Sequence, residues 1–230
     1  MARAVTVAQG DAKSASCMEP EQQDNFDGSF ATTPIVTIAV GSRKVEYFAH
    51  KDKLTTASPF FKKCLRAHMK ESETNKVLLP EDDPTVFGHF IRWIYESRFR
   101  GIGEDAGVKE HLQAWIMADK FCMPVWQNNI MNLLADLCSG RTLEPDIVIW
   151  VVDHIHESSR LFSFVLDQFA WELAIYYDSA QYLDDEDMKN LMADSKVSTQ
   201  ILWTAIESAR GGVDEPAENI KRYYAPEGVA

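Results

Sequence analysis

The stretch Glu46–Leu65, EYFAHKDKLTTASPFFKKCL, decides the fold that the sequence predicts. The β-branched run IVTIAVG at 35–41 precedes it, and together with KVEYFAH it predicts two strands joined by a short turn. KDKLTTAS then has a helical composition, and this first helix ends at Ser58 because the residue before a proline is pushed out of the α region. Pro59 suits the first position of a second helix. The stretch therefore predicts a strand that runs into two short helices.

The segments that follow extend this pattern. NKVLLPEDDP contributes a short strand at 77–79, and Asp83 then caps a helix that has Pro84 in its first turn. Apolar residues at helical spacing indicate two further helices up to residue 138, and the chain from there to residue 210 is helical in pattern throughout. The fold class is therefore α+β, a small sheet with helices followed by an all-helical region.

The two ends of the chain have a different composition. Residues 1–28 carry few large apolar side chains, so they cannot bury enough surface to offset the entropy lost on ordering. A Gly-Gly pair and two prolines mark the segment after residue 210 as mobile. The predicted organisation is a disordered tail at 1–28, a mixed α/β domain at 29–138, a helical extension at 139–210 and a flexible tail at 211–230.

The composition excludes several classes of partner. A net charge of −12, from 35 acidic and 23 basic residues, opposes binding to nucleic-acid phosphates. The longest apolar runs fall far below the ~20 residues needed to cross a bilayer, so no membrane association is expected. The N-terminal stretch has no apolar signal-peptide core, and the cysteines lack a C-x-x-C pair. These features predict an intracellular protein, cytoplasmic or nuclear, with free thiols at Cys17, Cys64, Cys122 and Cys138.

Two motifs resemble the BTB/POZ domain. FAHKDKLTTASPFF is similar to that family's strand-to-helix signature, in which an aromatic residue, a small residue, His and a basic residue precede Leu, and Ser-x-x-Phe follows. NKVLLPEDDPTVFGHFIRWIYESRF resembles the family's third strand and next helix, whose end carries a tyrosine. The likeness covers residues 30–138, and it implies a small sheet flanked by helical hairpins. The matching positions are Phe48, Ala49, His50, Lys51, Leu54, Ser58, Phe61 and Tyr95.

The run HESSRLFSFVLDQFAW resembles the helical extension that follows this domain in many fungal members of the family. Within the signature we expect His50 to fill a polar corner between strand and helix while Lys51 stays in solvent. Phe60 and Phe61 should anchor the second helix against the sheet. A catalytic role for His50 is the alternative, but no nucleophile lies nearby in sequence.

The resemblance also points to a partner. Members that recruit the cullin scaffold of a ubiquitin ligase carry a hydrophobic residue, any residue and Glu just after the second helix. Met69, Lys70 and Glu71 match that pattern at that place. A thioether would fill an apolar socket, and the carboxylate would accept a charge-assisted hydrogen bond. The alternative is a Met folded onto the core beside an ordinary surface Glu.

Other family properties are not expected here. Repressor members usually have an Asp at the start of the first strand, where this chain has Pro34 and Ile35, so a corepressor pocket is not predicted. The N-terminal tail lacks the amphipathic segment that swaps across dimers of those members. A homodimer through residues 51–58 stays open, as do a monomer and a heterologous assembly.

Enzyme and metal signatures are weak. GIGEDAG has the wrong glycine spacing for a dinucleotide loop, and the pairs Cys64/His68 and His154/His156 supply too few ligands for a zinc site. We therefore predict neither catalysis nor a cofactor or metal. The sequence favours a non-enzymatic protein-interaction module. The leading hypothesis is a substrate adaptor of a cullin-type ubiquitin ligase. A self-associating or heteromeric scaffold, including a transcription-associated one without cullin binding, is the alternative, and an enzyme with a deep pocket after residue 139 is the third hypothesis.

Overall fold

The computed structural model describes residues 32–96, 107–139, 142–175 and 186–227. The predicted disordered tail at 1–28 lies outside the described residues. The predicted mixed domain from residue 33 onward, the helical extension and the C-terminal tail fall within Thr33–Ala230, one of the two units into which the chain divides.

A three-stranded sheet forms the first part of this unit. Strand β1, Ile35–Val40, pairs antiparallel with β2, Val45–His50, and parallel with β3, Lys76–Leu79. The resulting order is β2-β1-β3. The turn between β1 and β2 begins at Gly41, whose φ of +73° is one that other residues rarely adopt. The predicted hairpin and short third strand are both confirmed.

Three short helices lie between the second and third strands, and the longer helices follow the third strand. The sequence break at Ser58-Pro59 separates the first two. The described α-helices after residue 139 lie in the predicted all-helical region, so the α+β class is confirmed. The described helices are α1 Lys51–Ala57, α2 Pro59–Cys64, α3 Lys70–Thr74, α4 Pro84–Tyr95, α5 Val108–Lys120, α6 Pro124–Cys138, α7 Pro145–His154, α8 Arg160–Ile175, α9 Glu186–Ala193 and α10 Ser195–Ala209.

Side-chain caps fix two of the helix starts. The buried Ser58 hydroxyl accepts from the N–H of Phe61 at 3.4 Å and donates to the carbonyl of Phe121 at 2.8 Å. Asp83 Oδ1 accepts from the N–H groups of Thr85 and Val86 at the start of α4. Ser and Asp are preferred at these positions because their oxygens satisfy backbone donors that lack a partner inside the helix. The Ser58 hydroxyl also joins α2 to the end of α5.

Aromatic side chains fill the centre of this part of the unit. Phe61 stacks on Phe90 with 5.5 Å between ring centroids, and both rings contact Phe121 at 5.1 and 5.0 Å. Phe61 shares one core cluster with the buried residues of the sheet, and its aromatic contacts reach α4 and the residue after α5. Offset and edge-to-face pairs of this kind add to the stabilisation from burial alone.

The helical region has its own buried layer. α8 contributes the buried Phe164 and Phe169, and α10 packs along it through Val197 and Ile201. No helix in the described parts of the chain combines the length and the apolarity needed to cross a bilayer.

The segment after α10 corrects the prediction of a flexible tail. Ala217, Ile220 and Tyr223 are buried, and a short 3₁₀ helix at Ile220–Tyr223 places the Tyr223 ring 5.4 Å from that of Phe164. The Gly-Gly pair does mark a turn, with φ of +72° at Gly211. The glycines and prolines did not predict the structure of the residues after this turn, because three buried apolar side chains hold those residues on the core.

Candidate protein-binding site

His50 lies where β2 meets α1. Its backbone N–H donates to the Tyr95 hydroxyl at 2.9 Å, and its Nδ1 lies 2.7 Å from the same oxygen. Tyr95 is the last residue of α4, so this hydrogen-bonded pair joins the strand-to-helix junction to a distant helix end. The arrangement gives His50 a structural part.

The remaining signature residues divide into buried and exposed ones. Leu54, Ser58 and Phe61 have no exposed surface, whereas Phe48 is 63% exposed and packs in no core. Lys51 was expected to stay in solvent, but its Nζ donates to Ser72 Oγ at 3.0 Å. This long-range contact, which local sequence could not reveal, ties the start of α1 to α3.

Met69 lies at the N-cap of α3. It was expected at the end of a helix, but α2 stops at Cys64 and the left-handed conformation of His68, with φ of 71°, redirects the chain before α3 begins. The Met69 carbonyl accepts from the N–H groups of Ser72 at 2.9 Å and Glu73 at 3.1 Å. Its side chain is 44% exposed. The backbone is thus fixed by hydrogen bonds, while the residue as a whole stays partly exposed.

Glu71 follows in the first turn of α3 and is half-buried. No ion pair or hydrogen bond joins its carboxylate to another residue in the described ranges. The N-terminal turn of a helix suits a negative charge, although α3 is too short for a large effect.

A cavity of about 620 Å³ lies beside Glu71, between α2, α3 and β3. Its walls combine apolar groups with charged groups of both signs, which would admit an apolar side chain and orient polar atoms around it. The residues lining it are Ala39, Lys44, Glu46, Phe60, Cys64, Lys70, Glu71, Thr74, Lys76, Val77, Leu78 and Leu79.

Burial raises the pKa of the Cys64 thiol, and the nearby negative charge of Glu71 raises it further. The thiol is therefore neutral near pH 7 and a poor nucleophile. Within the described ranges, no group of three His, Cys, Asp or Glu side chains is placed to hold a metal ion.

The third hypothesis from the sequence, an enzyme, requires a deep pocket in the region after residue 139. A cavity of about 330 Å³ lies there, and His156, Glu157 and Asp194 are among its lining residues. Its lining contains no Ser, Cys or Lys that could act as a nucleophile.

Two exposed apolar surfaces were not found from sequence. The first, here called the outer sheet surface, consists of Ile35, Phe48 and Leu78, which are 47%, 63% and 61% exposed. The strand register places all three on the same face of the sheet. In the sequence, the strands carry apolar residues at positions of both faces. This pattern could have indicated an apolar surface on the side away from the core.

The second surface, here called the α10 surface, consists of Leu202, Trp203 and Ile206, which are 61%, 69% and 40% exposed. A tryptophan within an apolar helical stripe would be expected in the core, but Trp203 is mostly exposed. Its neighbours at helical spacing were apolar, so periodicity alone could not show which stripe faces solvent.

The domain boundaries can be compared with a known family. The family model of the BTB/POZ domain matches residues 31–135. This range contains the three strands, helices α1 to α5 and most of α6, and it includes the His50 junction and the Met69–Glu71 segment. Domains of this family are generally protein-interaction modules. The chain therefore contains a BTB/POZ domain, a module for binding other proteins, followed by a helical region.

Proposed function

We propose that this chain is a non-enzymatic substrate adaptor, which binds a cullin scaffold of a ubiquitin ligase through Met69, Lys70 and Glu71. The observation that carries the proposal is the 44% exposure of the Met69 side chain at a fixed N-cap beside Glu71. A Met folded onto the core, the alternative from sequence, would not have this exposure.

The local geometry supports the proposed contact in three ways. Two backbone hydrogen bonds fix Met69, so little backbone entropy is lost when a partner binds. The Lys51–Ser72 hydrogen bond holds α3 against α1. The Glu71 carboxylate keeps its acceptor capacity for a charge-assisted hydrogen bond from the partner, which is stronger than a neutral one.

The test is a pull-down of the purified chain with the N-terminal domain of a cullin. The wild type is compared with Met69→Asp/Glu71→Lys and with a matched control, Met192→Asp/Glu218→Lys. Met192 is also a partly exposed Met, at 37%, and Glu218 is exposed, but both lie in the helical region. We expect the wild type and the control to bind and the Met69/Glu71 variant to fail.

The melting temperature decides how a loss of binding is interpreted. Surface changes away from structural features usually alter stability by less than about 0.5 kcal/mol, so the Met69/Glu71 variant should melt close to the wild type. If the wild type does not bind, the adaptor proposal fails. Loss of binding together with a large loss of stability would place Met69 in the core.

An adaptor also needs a second surface for its substrate. The α10 surface lies outside the matched range 31–135 and exposes Leu202 and Trp203. We therefore assign substrate selection to the helical region. Trp203→Gln should leave cullin binding unchanged, and a loss of cullin binding in this variant would contradict the assignment.

A self-associating scaffold is the second candidate, and the outer sheet surface favours it. Exposed apolar patches on monomers often mark interaction sites. The segment 51–58, the homodimer surface suggested by the family, is less apolar, because Asp52 and Thr56 face outward while Leu54 is fully buried. Light scattering should show a dimer that Phe48→Asp dissociates. A wild-type monomer at high concentration would exclude this candidate.

A further inference from the structure

The side chain of Asn128, on α6, binds the backbone of a distant part of the chain. Its Nδ2 donates to the Ala225 carbonyl at 3.1 Å and to Glu227 Oε1 at 2.8 Å, and its Oδ1 accepts from the Ala225 N–H at 2.8 Å. The residue is only 4% exposed. An amide that pairs with both the N–H and the C=O of one residue bonds to it as a neighbouring β-strand would. Asn128 therefore recognises extended backbone.

Asn132 lies one turn further along α6, on the same face as Asn128. Its Oδ1 accepts a hydrogen bond from the Tyr224 hydroxyl. Tyr224 has φ −67° and ψ 140°, an extended conformation, and Pro226 disfavours helix at Ala225. The segment Tyr224–Glu227 thus lies extended against this face of α6.

Burial decreases along this part of the chain. Ile220 and Tyr223 are 9% and 4% exposed, and the Tyr223 hydroxyl donates to Asp167 Oδ2 at 2.8 Å. Tyr224 and Ala225 are half-buried, and the next two residues are exposed. Apolar packing therefore holds the chain most firmly up to Tyr223. The Tyr224 ring is partly buried against the core, and Ala225 and Glu227 are held by their hydrogen bonds to Asn128. Detaching Tyr224–Glu227 would uncover the apolar surface that this one partly buried ring covers.

We propose that the face of α6 carrying Asn128 and Asn132 is a binding site for an extended peptide of the type Tyr-x-Pro-acid, which Tyr224–Glu227 occupies within the chain. A segment of a partner protein with this chemistry would compete with the chain's own residues. A tethered competitor has an effective concentration in the mM range, so the attached segment lowers the apparent affinity for a free peptide. The site is separate from the proposed cullin contact and does not depend on it.

The test uses the full chain with Ala225→Pro. Proline removes the N–H that Asn128 accepts while keeping an extended backbone, so the chain's own segment should leave the site. The probe is a fluorescent synthetic peptide of residues 222–228, RYYAPEG, whose binding is measured by anisotropy. We expect the peptide to bind Ala225→Pro about tenfold or more tightly than the wild type.

Two controls identify the site. Adding Asn128→Ala should weaken peptide binding about tenfold or more, because three hydrogen bonds are lost. The matched change Asn129→Ala should have no effect, since Asn129 Nδ2 donates to the Val125 carbonyl of its own helix. A second peptide, in which proline replaces the alanine, should bind the Ala225→Pro chain weakly. Its affinity should be as low as that of the native peptide for the chain that also carries Asn128→Ala.

A folded Ala225→Pro chain that does not bind the peptide, or binds both peptides equally, overturns the proposal. If Ala225→Pro does not fold, hydrogen exchange of the wild type decides. The Ala225 amide should exchange through local opening, far faster than amides of α4. Exchange of the Ala225 amide only by global unfolding would make the segment a permanent part of the fold and would overturn the proposal.

Discussion

In the BTB/POZ domain, aromatic rings that lack exposed surface meet at the centre, whereas in the helical region a carboxyl group and a carboxamide lie among the core residues. Glu172 is 1% exposed, and its oxygens accept from the Leu143 N–H at 2.7 Å and from Gln168 Nε2 at 2.9 Å. Gln168 Oε1 accepts in turn from the Ala217 N–H at 3.0 Å. These polar groups join α8 to the chain segments on both sides of it.

The difference shows how each part is stabilised. Apolar rings gain from burial at any pH, so the aromatic centre depends on shape and volume. A buried carboxyl group loses hydration, so its contribution depends on its protonation state. The two parts of the chain should therefore respond differently to side-chain truncation and to pH.

Truncation of the aromatic centre should have the largest effect. Phe90→Ala removes a fully buried ring that contacts Phe61, Phe121 and Trp126, and such changes typically cost about 3–5 kcal/mol. Urea unfolding measures the loss. Phe48→Ala is the matched control, since its ring is 63% exposed, and it should cost far less. Equal losses in the two variants would contradict the description of the core.

The pH dependence of the helical region should be the next largest effect. Burial raises the pKa of Glu172 to about 7, from an ordinary value of 4.5. The folded state therefore binds the proton more tightly, and stability falls as the pH rises from about 4.5 through 7. The full loss is on the order of 3 kcal/mol.

Unfolding free energies measured from pH 4.5 to 8 test this dependence. Glu172→Gln should flatten the curve, and Glu218→Gln, a change at an exposed carboxylate, should leave it unaltered. An unchanged slope in Glu172→Gln would show that the buried carboxyl group does not control the pH response.

A smaller effect of opposite sign is expected in the BTB/POZ domain. Burial lowers the pKa of His111, which is 4% exposed and has its Nδ1 2.9 Å from the Gly107 carbonyl. The folded state therefore disfavours the protonated ring. Stability should be lost as the pH falls through the ordinary value of 6.5. NMR titration of the His111 ring measures the shift directly, and a pKa above the ordinary value would contradict it.

The smallest effect should come from the α10 surface. Trp203→Gln replaces a side chain that is 69% exposed, so the free energy of unfolding should change by less than about 0.5 kcal/mol. Trp126→Gln is the comparison. Trp126 has no exposed surface, so its replacement should severely lower the free energy of unfolding of the chain. A large loss in Trp203→Gln would mean that this tryptophan is covered in solution.

Local signals explain what the sequence could predict. The Ser58-Pro59 break, the Asp83 cap and the β1–β2 hairpin each depend on a few adjacent residues, and the structure has all three. Other features depend on contacts between distant residues. Lys51 meets Ser72, and Asn128 meets Ala225 across 97 positions, so neither pairing leaves a local pattern.

The same limit applies to the candidate site and to the core. The Met69–Glu71 segment was located by its resemblance to a family motif, but its place at a helix start depends on the left-handed His68. Polar residues such as Gln168 and Glu172 within a helical pattern give no local sign of burial. They are buried where Leu143 and the segment at 215–217 meet α8.

The most direct test of the adaptor proposal is a calorimetric titration of the purified wild-type chain with the N-terminal domain of a cullin. We expect saturable binding that Met69→Asp abolishes and Met192→Asp leaves intact, with all three proteins melting at similar temperatures. No binding by the folded wild type, or equal binding by the folded Met69→Asp variant, would contradict it.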